Sequence, residues 1–86
     1  MRFIMKVAIP EPAENPAVGA PDFNARLHGL FAELGAQKIY SRTANGRRFD
    51  YALFDIQDLT RIYAIARPVS LLVGVKPEFL PERAPG

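Results

Sequence analysis

Apolar residues along this chain switch between a two-residue and a 3.6-residue period, and the switches mark out its elements. From Met1 to Ile9, Phe3, Met5, Val7 and Ile9 recur at every second position while Ile4, Lys6 and Ala8 take the other side, which predicts a strand. Between Pro10 and Pro21 lie four prolines. Their fixed φ and missing N–H predict an irregular loop over residues 10–21, either a lid or a tolerated insert. Phe23, Leu27, Leu30, Phe31 and Leu34 then form one stripe at helical spacing, with Asp22 near the start and Gly35 at the end. Gly29 falls on the opposite side of that helix.

A hairpin follows. Asn45-Gly46 is the strongest short signal for a two-residue type I′ turn, because both central residues need positive φ. If Ala44 pairs with Arg47, then Arg42 faces Phe49, Tyr40 faces Tyr51 and Lys38 faces Leu53 on one side of the sheet. Ser41 with Asp50, Ile39 with Ala52 and Gln37 with Phe54 take the other. Asp55 or Asp58 is placed to cap a second helix, with Leu59, Ile62, Tyr63, Ile65 and Ala66 on its buried face and Pro68 as its end. Ser70 to Lys76 reads as the last strand, with Leu71, Val73 and Val75 on one side, and residues 77–86 as an extended tail carrying Phe79 and Leu80. The order strand, helix, strand, strand, helix, strand predicts a single α+β domain over residues 1–86. Its economical form is a ferredoxin-like βαββαβ fold, a four-stranded antiparallel sheet with two helices on one face.

Composition narrows the chemistry. The chain has 86 residues, 49% of them hydrophobic, near the size at which a monomer buries little apolar surface and gains from dimerisation. It has no cysteine, which removes disulfides, thiolate nucleophiles and sulfur-ligated zinc, and fits a cytoplasmic location. One histidine leaves no His-rich metal site, and neither a metal nor a cofactor is expected. Eleven Lys and Arg against nine Asp and Glu give a formal charge of +2, too little to argue for nucleic acid or a membrane. Lys6 interrupts the first apolar run, so it lacks the pattern of a signal peptide, and no stretch approaches the roughly 20 apolar residues of a membrane span.

Pairing also sorts side chains between faces. Ile39, Ala52, Phe54 and Ile56 make the more purely apolar side, so the helices belong there. The open side then holds Lys38, Tyr40, Arg42, Phe49, Tyr51 and Leu53, joined by Lys6, and is aromatic and basic at once. Left in water it is a large apolar patch for a monomer. Tyr40, Arg42, Tyr51 and Lys6 share this face and suit an aromatic or carboxylate-bearing ligand. His28, at the border of the first helix's stripe, is the candidate general base. Asp50 opposite Ser41 lacks a histidine on its own strand to make a nucleophile.

Gly35-Ala36-Gln37-Lys38-Ile39-Tyr40-Ser41, Gly46-Arg47-Arg48-Phe49-Asp50-Tyr51-Ala52-Leu53, and Ala66-Arg67-Pro68 ahead of Val73-Gly74-Val75-Lys76-Pro77 together resemble small bacterial proteins of the dimeric α+β barrel superfamily. That resemblance implies a homodimer sealed through the open sheet face, with Phe49, Tyr51, Leu53, Phe79 and Leu80 in the interface and the tail crossing to the partner. It also implies a cavity beside the sheet for small-molecule chemistry, and no motif assigns a catalytic residue. Two alternatives stand beside it. Arg47, Phe49, Tyr51 and Phe54 half-match the RNP1 pattern of an RNA-recognition domain, with Phe3 as the RNP2 aromatic, though Arg48 and Asp50 depart from it. The other is a ligand-free structural or regulatory interaction module.

Overall fold

A computed structural model describes residues 1–82. Strand β1 (Arg2–Ala8) is followed by a 3₁₀ turn (Pro16–Gly19), helix α1 (Phe23–Glu33), strands β2 (Lys38–Ala44) and β3 (Arg47–Asp55), helix α2 (Arg61–Val73) and strand β4 (Glu78–Pro81). The strands form one antiparallel sheet in the order β2-β3-β1-β4. With both helices packed on one side, this is the ferredoxin-like α+β arrangement.

The hairpin forms in the expected register. Asn45 (φ 54°) and Gly46 (φ 75°) take the positive φ of a type I′ turn, and Arg42 pairs with Phe49, Tyr40 with Tyr51, and Lys38 with Leu53. Across β1, Met5 pairs with Ala52 and Lys6 with Tyr51, so the two-residue alternation continues through the sheet. Phe3, Met5, Val7, Ala52 and Phe54 face the helices and pack with Phe23, Leu27 and Phe31 of α1 and Ile65, Val69 and Val73 of α2. Helix α1 ends as its glycine demands. Gly35 sits at φ 100°, and the Ala36 amide reaches back to the Phe31 carbonyl at 3.0 Å, closing a Schellman turn.

The second half of the chain departs from the sequence reading. Pro68 does not end α2 but lies inside it, and the expected strand from Ser70 to Lys76 is the helix's last turn and the following loop. The last strand is instead β4, within the segment read as a tail. Its Phe79 pairs with Met5 and its Leu80 with Ile4, at the sheet's outer edge where Pro77 and Pro81 cost little. The physical reason is core burial. Carrying the helix past Pro68 places Ile65, Val69 and Val73 at i, i+4 and i+8 against the sheet, whereas a helix stopped there would bury only Ile65 fully. The face named from the shorter helix rotates accordingly, leaving Leu59 61% and Tyr63 80% exposed. Asp58 does not cap α2 directly; it accepts from the Thr60 amide (3.0 Å) and hydroxyl (2.8 Å) in the turn before it.

A helix-interior proline removes one backbone hydrogen bond and strains the preceding turn, at about 3 kcal/mol in an unconstrained helix. Part of that is offset by the stiffer unfolded chain. Pro68→Ala is therefore expected to raise stability by about 1–2 kcal/mol, read as a higher urea midpoint with an unchanged slope. An equal or lower midpoint would mean that packing of the ring matters more than the lost bond.

The proline loop is not featureless. Asn15 caps the 3₁₀ turn by accepting from the Ala17 amide (3.1 Å) and donates its side-chain amide to the Val73 carbonyl (2.7 Å), an end group of α2 with no helical partner. Gly74 turns the chain away at φ 86°. The loop is thus pinned to the far end of α2. No helix among the described residues is long and apolar enough to cross a membrane.

Candidate functional site

Strand β3 presents two different surfaces. On its open side Phe49, Tyr51 and Leu53 alternate with the helix-facing Asp50, Ala52 and Phe54. The rings of Tyr40 and Tyr51 stack across β2 and β3, with centroids 4.9 Å apart and an interplanar angle of 8°. The Lys6 ammonium sits 4.7 Å from the centroid of Phe49, and that of Lys38 sits 5.6 Å from Tyr40. These are cation–π distances. Leu53 is buried with no partner chain present, while Lys38 and Arg42 are exposed. None of Lys6, Lys38 and Arg42 forms an ion pair among the described residues; Arg2 leans on Glu82 at 3.7 Å.

A depression of about 250 Å³ opens on this face, lined by Ile4, Leu53, Tyr40, Lys38, Arg2 and Glu82. An apolar cavity of about 150 Å³ is enough for benzene, so this volume is of the order one aromatic ring needs. Three larger concavities lie elsewhere. One of about 820 Å³ runs between the helices past Gly29, Leu30 and Leu71, and one of about 430 Å³ lies between α2 and β4 beside Tyr63 and Phe79. The first has no aromatic lining; the second sets Arg67 and Lys76 beside Tyr63 and Phe79 but lies on the helix side, away from the stacked tyrosines. A third, of about 270 Å³, lies beside the proline loop at Val18 and Arg48.

The face thus holds together all four residues expected to bind a ligand, Tyr40, Arg42, Tyr51 and Lys6. Of these, only Tyr40 lines the depression; its cations are Lys38, placed on this face from the sequence but not among the four, and Arg2, which is shared with Glu82. Of the residues expected in a dimer interface, Phe49, Tyr51, Leu53 and Leu80 share the open face. Phe79 does not: it points to the helix side and packs against the core, and β4 pairs with this chain's own β1 rather than extending as a tail. Residues 83–86 of that tail lie outside the described residues.

His28 is also separated from the tyrosines, because the sheet lies between them. It belongs to a polar cluster on the opposite side, built around Asp50, which is fully buried. Arg48 grips the Asp50 carboxylate through Nε and Nη2, both at 2.8 Å, and its Nη1 donates to Asn24 of α1 at 2.6 Å. Ser41 donates to the same carboxylate at 2.9 Å, and His28 Nε2 lies 2.8 Å from Oδ2. Burial alone would raise the Asp50 carboxyl. The hydrogen bonds from Arg48, His28 and Ser41 and the Arg48 charge outweigh it, leaving the group below its ordinary value of 3.8. The carboxylate therefore only accepts, and the shared proton resides on His28 Nε2.

This geometry joins α1 to both strands of the hairpin and holds the strand that displays Phe49 and Tyr51. It is not a nucleophile relay. Ser41 and His28 each bond Asp50, the serine has no hydrogen bond to the imidazole, and a carboxyl held this low is a poor base. Arg48, which the sequence marked only as a departure from the RNP1 pattern, is a central member. The available signal was Asp50 itself, since the predicted register set a carboxylate on the apolar, helix-facing side where it needed partners. Helix α1 supplies one from a distance, His28.

No protein-family profile matches this chain, and neither a curated protein nor a solved structure matches it.

Proposed function

We propose that the open sheet face binds a small aromatic, carboxylate-bearing molecule and that two copies of the chain pair through this face around it. The observation that carries this reading is the concentration of Tyr40, Phe49 and Tyr51 with Lys6, Lys38 and Arg42 on one surface, the three cations lacking carboxylate partners among the described residues. Aromatic rings supply stacking area, and the cations supply charge-assisted hydrogen bonds to a carboxylate. The shallow depression beside Tyr40 suits one ring, and a second copy would exclude water from it.

Arg42→Ala with Tyr51→Ala removes a carboxylate fork and half of the stacked pair without touching the core. The double variant is expected to bind isophthalate, an aromatic dicarboxylate probe, about tenfold or more weakly by titration calorimetry. Full retention of affinity would defeat the reading. Single-stranded RNA is a second reading, favoured by the Lys6 ammonium over Phe49 on the two central strands, a cation and a ring where a base and its phosphate could lie. The stacked tyrosines count against it, since each already covers one face of the other. Salt-dependent binding of an oligouridylate by a monomer, with no response to isophthalate, would make RNA the better reading.

A further inference from the structure

We infer that pairing of two copies through the open face is coupled to an aromatic carboxylate anion, so that the chain is a monomer without the anion and a dimer with it. This rests on the pairing proposed above and concerns what controls it. In a two-fold pair every residue of the face meets the same face of the other copy, so each cation is brought in twice. Lys6, Lys38 and Arg42 have no ion pair among the described residues, and the acidic Glu78 stands opposite only Lys6 in the β1–β4 register. Closing the face therefore crowds unpaired like charges into a desolvated interface, where each is costly.

The apolar gain is small by comparison. Four strands about 4.8 Å apart and seven residues of about 3.3 Å give a flat footprint on the order of 440 Å². A standard interface buries about 800 Å² per partner. Ile4, Leu53, Leu80 and the three rings supply the apolar part of the footprint, and the ammonium groups of Lys6 and Lys38 already sit over Phe49 and Tyr40. An anion changes the balance. A ring lying in the 250 Å³ depression against Tyr40 and Leu53 places its carboxylate at Lys38, on the surface the second copy approaches. Lys38 is the unpaired cation of the lining, since Arg2 already leans on Glu82. A second carboxylate on the same ring is free to meet a cation of the partner. The ligand class is thus a flat aromatic acid, and a dianion serves better than a monoanion.

Sedimentation equilibrium across a protein concentration series tests this in three solutions of matched ionic strength: chloride alone, chloride with isophthalate, and chloride with neutral benzamide. Isophthalate is expected to lower the dimer dissociation constant about tenfold or more, and benzamide to leave it unchanged. A variant carrying Lys6→Gln, Lys38→Gln and Arg42→Gln, all substitutions outside the core, is expected to dimerise in chloride alone and to lose the isophthalate response. An equally strong wild-type dimer in all three solutions would overturn the coupling while leaving the pairing intact. Wild type and triple variant both monomeric in every solution would remove the pairing and the coupling with it.

Discussion

Asp50→Ala is expected to cost about 3 kcal/mol of folding stability, measured by urea denaturation at neutral pH. Removing one partner of a buried ion pair typically costs about 3–5 kcal/mol because the remaining charge is left unpaired. Here the value belongs at the lower end. The Arg48 side chain is 30% exposed and that of His28 37%, so both can recover some hydration once the carboxylate is gone. Ser41 is exposed as well. A loss below about 1 kcal/mol would show that the cluster merely occupies its place between α1 and the hairpin. A domain of this kind has on the order of 5–15 kcal/mol in total, so the expected loss is a large share.

The same residue carries a pH signature. In the folded chain Asp50 titrates below its ordinary value of 3.8, and in the unfolded chain it returns to it. Its stabilisation is then complete above the unfolded value and is lost as the pH falls through the folded one. Wild type should lose stability on acidification through this window, and Asp50→Asn should show a flatter acid limb. Parallel acid limbs in the two proteins would place the titration elsewhere.

Phe31→Ala is expected to cost about 3–5 kcal/mol, the larger effect of the two. Phe31 is fully buried in the layer between α1 and the sheet, and its ring stacks against His28 with centroids 6.0 Å apart. Truncation leaves a cavity that the close-packed core around it cannot collapse into without moving backbone. Unlike the loss at Asp50, this one should be nearly independent of pH between 3 and 7, about the range over which carboxylates titrate. That contrast separates apolar burial from the polar cluster in one set of denaturation curves. A cost below about 1.5 kcal/mol would mean that the core relaxes around the vacancy.

Asp50 bears on the proposed binding face, although it does not lie on it. Asp50 sits between Phe49 and Tyr51 on β3, so the bonds that hold its carboxylate on the helix side also hold the backbone that displays those rings on the other. Destabilised variants should therefore be compared with Arg42→Ala Tyr51→Ala only at temperatures where each remains folded.

Local sequence was sufficient wherever a short segment settles its own conformation. Asn45-Gly46 determined the hairpin turn, because few other pairs accept positive φ at both positions, and the turn in turn determined the β2–β3 register and the membership of both faces. The α1 stripe and its terminal glycine were equally legible, as was the aromatic and basic character of the open side. What the sequence left undecided depended on competition between distant parts. Pro68 is a helix breaker by local rules, yet Val69 and Val73 gain more by burial against the sheet than the proline costs, so α2 continues and the last strand moves to Glu78–Pro81. The Asp50 cluster likewise needs Asn24 and His28 of α1 to meet Ser41, Arg48 and Asp50 of the hairpin. No spacing along the chain encodes that meeting; it exists only once the helix packs across the sheet and the buried carboxylate must find donors.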